Sequence, residues 1–179
     1  MTLYAYKNHR PRIHESVFTA PTAQIIGNVR ISPHASVWFQ TVIRGDLDRI
    51  SIGEGTNIQD LCTLHADENI PLSIGNSVTV GHRSVIHGCT IEDNCLIGMG
   101  AIVMNQAVIG KCSIIAAGAV VLEKTIIPPY SLVTGSPARI KKTYENREEI
   151  KNSIEQMSRS YIHSARTFSS NDAFYKIRD

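Results

Sequence analysis

The sequence of 179 residues predicts an all-β fold, a parallel β-helix of hexapeptide repeats, followed by one α-helix. Three observations predict it. Seventeen aliphatic residues recur mostly at intervals of six between Ile25 and Ile127. The fourth residue after most of them is small, and an amphipathic segment follows the repeats. A period of six matches neither an α-helix nor an alternating strand, whereas internal hexapeptide repeats are typical of β-solenoids.

The repeat defines coils with three sides of six residues each. The bulky residue of each side is expected to point to the axis, and the small residue to lie near a corner. Three sides make one coil, so the pattern predicts about five to six coils, stacked about 4.8 Å apart. The aliphatic residues form four runs: Ile25, Ile31, Val37 and Ile43; Ile52, Ile58 and Leu64; Ile74, Val80 and Ile86; and Ile91, Ile97, Val103, Ile109, Ile115, Val121 and Ile127.

The chain divides into three predicted parts. We expect a β-helix domain at residues 1–140, a helix packed on it within residues 141–170, and a flexible tail at residues 171–179. The helix is expected from residue 143 to about residue 168, because apolar residues recur there at spacings of three or four. These residues are Ile150, Ile154, Met157, Tyr161 and Ala165. Two loops, 45–50 and 67–72, interrupt the coils, and binding sites on solenoids are commonly built at such interruptions.

Composition indicates a soluble protein without a strong attraction to polyanions. The net charge is +2 and the hydrophobic content is 42%, so nucleic-acid and membrane partners are not expected. The first residues lack the apolar stretch of a secretory signal, and the longest apolar run, residues 114–122, is too short to span a bilayer. We therefore expect a cytoplasmic protein. No CxxC pair is present, so the cysteines are interpreted as small, reduced core or corner residues. They are Cys62, Cys89, Cys95 and Cys112.

Two histidines occupy equivalent positions in consecutive coils. Arg44, His65 and His87 each follow an aliphatic residue on the same side and should form an outward column, with backbones about 4.8 Å apart. That spacing lets two imidazoles bind one metal ion. His82 lies on the preceding side, separated from His87 by roughly 16 Å of extended chain. We therefore hypothesise a metal site shared between subunits of a symmetric trimer, with His82 supplied by one subunit and the other two histidines by its neighbour.

Polar residues accompany the three histidines. Asp60 and His82 hold equivalent positions one coil apart, so Asp60 should stack beside His82 and orient its ring. Arg44 and Asp46 are either part of the site or a surface ion pair of little energy. Asn57 is either a site residue or a turn residue. The remaining histidines are interpreted as ordinary surface or core residues: His9, His14, His34 and His163.

Four segments carry a family resemblance. In order, VIRGDLDRISIG, TNIQD, TLHAD and VGHRSVIHG resemble the γ-class carbonic anhydrases, hexapeptide-repeat proteins, over roughly residues 10–140. The resemblance implies a left-handed β-helix, a homotrimer, and a zinc, iron or cobalt ion between subunits. It identifies His65, His82 and His87 with the metal ligands. It also implies reversible hydration of CO2 to bicarbonate by hydroxide formed on the metal.

The resemblance assigns further roles. Arg44 and Asp60 match a pair associated with the subunit interface, and Gln59 matches a residue that orients metal-bound water. Asp46 and Asn57 match other active-site or interface positions. The terminal helix is expected to supply Tyr161 to the active site, the alternative being an ordinary buried tyrosine.

This chain also departs from the family pattern. Leu47 stands where the archetype has a glutamate, and the loop after His65 lacks the long acidic extension, although Asp67 and Glu68 lie in it. Proton transfer out of the site is therefore expected to be weak. The alternatives are an acyl-CoA thioesterase, an acyltransferase with a single histidine base, and a metal-binding homologue with little activity.

Overall fold

The chain folds into a parallel β-solenoid of about seven turns with one C-terminal helix. The computed structural model describes residues 2–170, 173–175 and 177. The predicted flexible tail, 171–179, therefore lies largely outside the described residues. The predicted β-helix with a terminal α-helix is confirmed.

Three stacks of strands form the sides of the solenoid. The helix-covered face consists of β3 (Phe18–Thr19), β5 (Ser36–Val37), β7 (Asn57–Ile58), β10 (Thr79–Val80), β13 (Leu96–Ile97), β16 (Ile114–Ile115) and β19 (Ser131–Thr134). At one end of this face, β20 (Arg139–Thr143) pairs antiparallel with β19.

The other two sides share two long strands that bend around a corner, β4 (Gln24–Ile31) and β6 (Val42–Ile52). The histidine face holds their first halves together with β1 (Thr2–Tyr4), β8 (Thr63–His65), β11 (Val85–His87), β14 (Ile102–Val103) and β17 (Val120–Val121). The arginine face holds their second halves together with β2 (Arg12–Ile13), β9 (Leu72–Ile74), β12 (Thr90–Ile91), β15 (Val108–Ile109) and β18 (Ile126–Ile127).

The aliphatic residues of the repeat fill the interior, as the pattern predicts. All seventeen are at most 3% exposed, and they stack in register from coil to coil, for example Ile43 on Leu64 and Leu64 on Ile86. The glycines that follow some of them let adjacent coils approach closely. A Cβ on Gly53 would lie 2.4 Å from the backbone of Gly75, which is closer than atoms can pack.

The solenoid continues beyond both ends of the aliphatic pattern. Ile13 and Thr19 occupy the inward positions before Ile25, and Val133 occupies the one after Ile127. The repeat is not apparent in the sequence at Thr19, because this residue has a hydroxyl group where the pattern has an aliphatic side chain. Its Oγ1 is buried without a hydrogen-bond partner among the described residues. These extra sides account for the additional coil.

The helix α1 (Arg147–Phe168) packs on the helix-covered face. It begins later than predicted, because residues up to Thr143 belong to β20 and the Asn146 side chain caps the helix by accepting a hydrogen bond from the Glu149 backbone. Met157, expected on the buried stripe, is exposed. Ser158 takes the inward place and donates to the Gly55 carbonyl at 2.8 Å.

The four cysteines are all free and buried, which confirms their interpretation as small reduced core residues. Burial raises the pKa of Cys62, Cys89 and Cys95 to about 12 in each case. These thiols are therefore protonated at neutral pH and are poor nucleophiles and metal ligands. Among the described residues, no helix is long and apolar enough to cross a bilayer.

Candidate functional site

The predicted column of Arg44, His65 and His87 is present on the histidine face. Arg44 pairs in register with His65, and His65 pairs in register with His87. The two imidazole rings lie with their centroids 4.9 Å apart and their planes at 68°. His65 Nδ1 and His87 Nε2 face each other at 2.9 Å.

The second nitrogen of His65 is held by Asp46. His65 Nε2 lies 2.9 Å from Asp46 Oδ1, and Asp46 Oδ2 accepts a hydrogen bond from Arg44 Nη1. Burial raises the pKa of Asp46, but the hydrogen bonds from His65 and Arg44 outweigh this effect and keep the pKa below its ordinary value. Asp46 is thus a carboxylate that connects the arginine to the histidine column, and the pair is not an isolated surface ion pair.

The second nitrogen of His87 is held by Asn105, a residue that the sequence analysis missed. His87 Nδ1 lies 2.6 Å from Asn105 Oδ1, and Asn105 Nδ2 donates to Asp67 Oδ2 at 3.3 Å. The contact with a carboxylate fixes the amide orientation, because a carboxylate accepts and the NH2 group must face it. Asn105 lies in the next coil, two residues after Val103, which is the register partner of Ile86, and this spacing alone did not indicate the contact.

The protons of both rings are therefore directed away from the gap between them. Asp46 and the Asn105 oxygen only accept, so His65 Nε2 and His87 Nδ1 carry the N–H groups. In the neutral rings, His65 Nδ1 and His87 Nε2 then present two lone pairs to each other at 2.9 Å. Facing acceptors repel unless a proton or a metal cation lies between them. Two Zn–N bonds at a tetrahedral ion separate their nitrogens by roughly 3.3 Å, so the spacing suits a shared metal.

His82 lies at the opposite margin of the histidine face, three residues before β11 begins. Its Nδ1 is 2.8 Å from Asp60 Oδ2, as the stacking of the two positions predicts. Asp60 Oδ1 also accepts from the Phe39 backbone at 3.1 Å, which fixes the carboxylate. His82 Nε2 has no hydrogen-bond partner within the described part of the chain, and the side chain is 41% exposed.

A single protomer does not assemble the three-histidine site. Among the described residues, no group of three or more His, Cys, Asp or Glu side chains is arranged to hold a metal ion. This agrees with the expectation that His82 cannot reach the ion held by the other two histidines of its own chain. Arg44 and Asp60 show the same separation, because Arg44 contacts Asp46 and Asp60 contacts His82.

Gln59 and Asn57 form a buried polar network beneath His82. Gln59 Nε2 donates to Asn57 Oδ1 at 3.2 Å, and Gln59 Oε1 accepts from the His82 backbone at 3.2 Å. Asn57 Nδ2 donates to Thr79 Oγ1 at 2.9 Å. The alternative interpretation of Asn57 as a turn residue is wrong: it is fully buried within β7, where these partners satisfy its amide.

Tyr161 does not contact the three histidines of its own chain. It lies on α1 and packs edge-on against Trp38, with ring centroids 5.5 Å apart. Burial, aided by the negative charge of Asp60, raises the pKa of Tyr161. The surrounding aromatic cluster joins the helix to the first coils and consists of Phe18, Trp38, Phe39, Tyr161, Phe168 and Phe174.

Comparison with known proteins identifies the family of this chain. The chain is 44% identical over 160 residues to a carbonic anhydrase of Geobacillus kaustophilus, a match that covers 89% of this chain and 87% of the relative. The chain belongs to the γ-carbonic anhydrase-like family of hexapeptide-repeat proteins. It is also 39% identical over 178 residues to gamma carbonic anhydrase 2, mitochondrial, of Arabidopsis thaliana, covering 96% of this chain but only 63% of that longer relative.

Other proteins similar to this chain have different names. The carnitine operon protein CaiE of Escherichia coli is 32% identical over 148 residues, covering 83% of this chain and 76% of the relative. Residues 88–123 match the family described as bacterial transferase hexapeptide (six repeats). A hexapeptide transferase family protein from Anaplasma phagocytophilum superposes with a TM-score of 0.87 at 37% identity, over 92% of this chain and 96% of that one.

Proposed function

We propose that this protein is a homotrimeric, metal-dependent enzyme that catalyses the reversible hydration of CO2 to bicarbonate. The observation that carries the proposal is the orientation of the three imidazoles. Each histidine has one nitrogen held by an oxygen acceptor, namely Asp46 for His65, Asn105 for His87 and Asp60 for His82. Each therefore offers its other nitrogen as a lone pair, which is the state that a metal ligand requires.

The histidine face supports the trimer, because its exposed side is apolar where an ordinary solvent-facing strand would be polar. Val85, Ile102 and Val120 stack in register with outward side chains and are only half-buried in one protomer. In a threefold assembly with this face turned to the axis, one margin of each protomer meets the opposite margin of its neighbour. His82 of one protomer then meets His65 and His87 of the next.

The same arrangement explains why Arg44 and Asp60 lie on opposite margins of one protomer. Arg44 lies on the margin of His65, and Asp60 lies on the margin of His82, so threefold packing brings these opposite charges together across the interface. Three imidazoles with an open fourth position form the usual ligand set of a catalytic zinc site, and iron(II) or cobalt(II) are alternative occupants. When bound, such a metal supplies hydroxide near neutral pH by lowering the pKa of a coordinated water.

The chain's own residues complete the proposed site. Gln59, rigidly held by Asn57, is placed to orient the attacking oxygen with its remaining N–H. Arg44 provides positive charge that favours binding of the bicarbonate anion. Asp46 keeps His65 in the tautomer that exposes Nδ1. The released proton leaves through Glu68, which is exposed in the loop beside the site, or through buffer.

Stopped-flow measurement of CO2 hydration tests this proposal. Protein loaded separately with zinc, iron(II) or cobalt(II) should hydrate CO2 above the buffer rate with at least one metal, and the rate should rise with buffer concentration if proton export is limiting. Full metal occupancy with no rate above background would refute the hydration activity. The metal site would survive that result.

A second candidate function is hydrolysis of short acyl-CoA thioesters at the same site. The similarity to CaiE and to a hexapeptide transferase family protein favours testing it. A panel of acetyl, propionyl and crotonyl thioesters, assayed by thiol release, separates the two functions. Thioester turnover that disappears in the metal-free protein, without CO2 hydration, would assign the site to thioesters instead.

Asn105→Ala is expected to lower metal affinity by about 10- to 100-fold, because His87 loses the acceptor that fixes its tautomer. The measurement is competition for zinc with a chromogenic chelator. Asn105→Asp keeps an acceptor oxygen for His87 but loses the donor to Asp67, so it should bind zinc more tightly than Asn105→Ala. Asn152→Ala, an exposed asparagine on α1, is the matched control and should bind zinc like the wild type. Equal affinities in all four proteins would show that Asn105 does not position His87.

A further inference from the structure

A second cleft lies on the arginine face, away from His65, His82 and His87. It has a volume of about 740 Å³ and is built from the N-terminal turn, β2, the second halves of β4 and β6, and the start of β9. Four arginines line it: Arg10, Arg12, Arg30 and Arg49. This volume is within the range of small-molecule sites. Because the proposed trimer turns the histidine face inward, this cleft stays open to solvent.

The positive charges in the cleft are crowded and uncompensated. Arg12 and Arg30 are directly opposite each other on neighbouring strands, β2 and β4, and both side chains are exposed. Like charges in this position destabilise a sheet. Within the described residues, no carboxylate lies within 4 Å of any of the four guanidinium groups, and none lines the cleft. Arg49 comes from the insertion in β6 that shifts its register against β4.

The cleft also offers neutral donors. Ser51 and Ser73 continue the outward column beyond Arg30, and their hydroxyls lie 3.4 Å apart. A protein of net charge +2 that gathers four arginines around one concavity, with two serines in its lining, has the features of an anion site. Guanidinium groups match the oxygens of phosphoryl groups in two-point hydrogen bonds.

We propose that this cleft binds a small molecule that carries a diphosphate group. A diphosphate fits better than a single phosphate or carboxylate because it offers more negative charge and more acceptor oxygens to the four guanidinium groups that line the cleft. The proposal is independent of the CO2 chemistry, since the cleft and the three proposed ligand histidines lie on different parts of the solenoid and share no residue.

Isothermal titration of the full-length protein with inorganic pyrophosphate, at about 0.15 M ionic strength, tests the proposal. The wild type should bind one pyrophosphate per protomer. The double variant Arg12→Gln/Arg30→Gln should bind at least about tenfold more weakly, because two charge-assisted contacts are lost. The double variant Arg159→Gln/Arg166→Gln removes the same charge from α1 and should bind like the wild type.

Further measurements identify the molecule that carries the diphosphate and separate binding in the cleft from binding to a metal. Both double variants keep the three histidines, so any contact of pyrophosphate with a metal would persist equally in both. ADP binding without adenosine binding would assign a nucleotide as the carrier, and pyrophosphate binding alone would assign the free anion. Arg49→Gln provides an independent variant in case the first double variant is poorly folded.

Three results would overturn the proposal. The first is absence of pyrophosphate and ADP binding to folded wild-type protein. The second is equal binding by the two double variants, which would place the anion elsewhere. Binding of a 20-nucleotide DNA strand without pyrophosphate binding would likewise reject a small-molecule site in favour of a nucleic-acid surface.

Discussion

His87→Ala should release the bound metal and abolish CO2 hydration, while the solenoid and the trimer remain. The substitution removes one of the two nitrogens that face each other at 2.9 Å and leaves Asn105 without its partner. Removing a ligand is expected to weaken metal binding by more than the roughly 100-fold that loss of an outer hydrogen-bond partner costs. Metal content by mass spectrometry, stopped-flow hydration and sedimentation velocity measure the three quantities on one preparation.

His163→Ala is the matched control for this change. His163 is exposed on α1 and belongs to none of the contacts that hold the three proposed ligands. Its variant should keep the metal and the hydration rate. If the His87 variant retained stoichiometric metal and wild-type turnover, the imidazole pair would not be a ligand pair.

Leu64→Ala should lower the free energy of unfolding by about 2–5 kcal/mol, the largest stability effect expected from a single aliphatic side chain. Leu64 is fully buried and stacks between Ile43 and Ile86 of the neighbouring coils, so truncation leaves a cavity that rigid coils above and below cannot fill. Because it directly precedes His65, the cavity should also loosen the histidine column.

Denaturant unfolding at a fixed protomer concentration measures this effect, since assembly makes the apparent stability concentration-dependent. Ile126→Ala, which truncates an outward isoleucine that is 72% exposed on β18, is the control and should change the free energy of unfolding by less than about 1 kcal/mol. Equal losses in the two variants would mean that the axial stack does not carry the stability of the solenoid.

Most of the fold could be predicted from the sequence because a six-residue period leaves few alternatives. Each side of each coil needs an aliphatic residue at the axis and a small residue near the corner. The sequence therefore shows the pattern without knowledge of the tertiary structure. The hidden coil at Thr19 and the exposed Met157 were not predictable in this way. Ser158 takes an inward place because its hydroxyl donates to the Gly55 carbonyl, whereas Thr19 lies inward although its hydroxyl has no hydrogen-bond partner among the described residues.

The site was only partly predictable. The register of the coils was sufficient to place His65 beside His87, and Asp60 beside His82. The contact from Asn105 depends on a side chain that reaches across to the adjacent coil, and an isolated asparagine in a sequence carries no signal for that reach. The arginine cleft was also not expected, because Arg12 and Arg30 are far from the insertion that adds Arg49.

Metal content of mixed trimers tests the shared site most directly. One chain carries His82→Ala and the other carries His65→Ala/His87→Ala, with different affinity tags, and the two are co-expressed. Neither chain alone should hold metal at this site. Each mixed trimer regains one complete site, so random assembly in equal amounts predicts about one quarter of the wild-type metal content. Metal bound fully by either variant alone, or none in verified mixed trimers, would contradict a site built by neighbouring protomers.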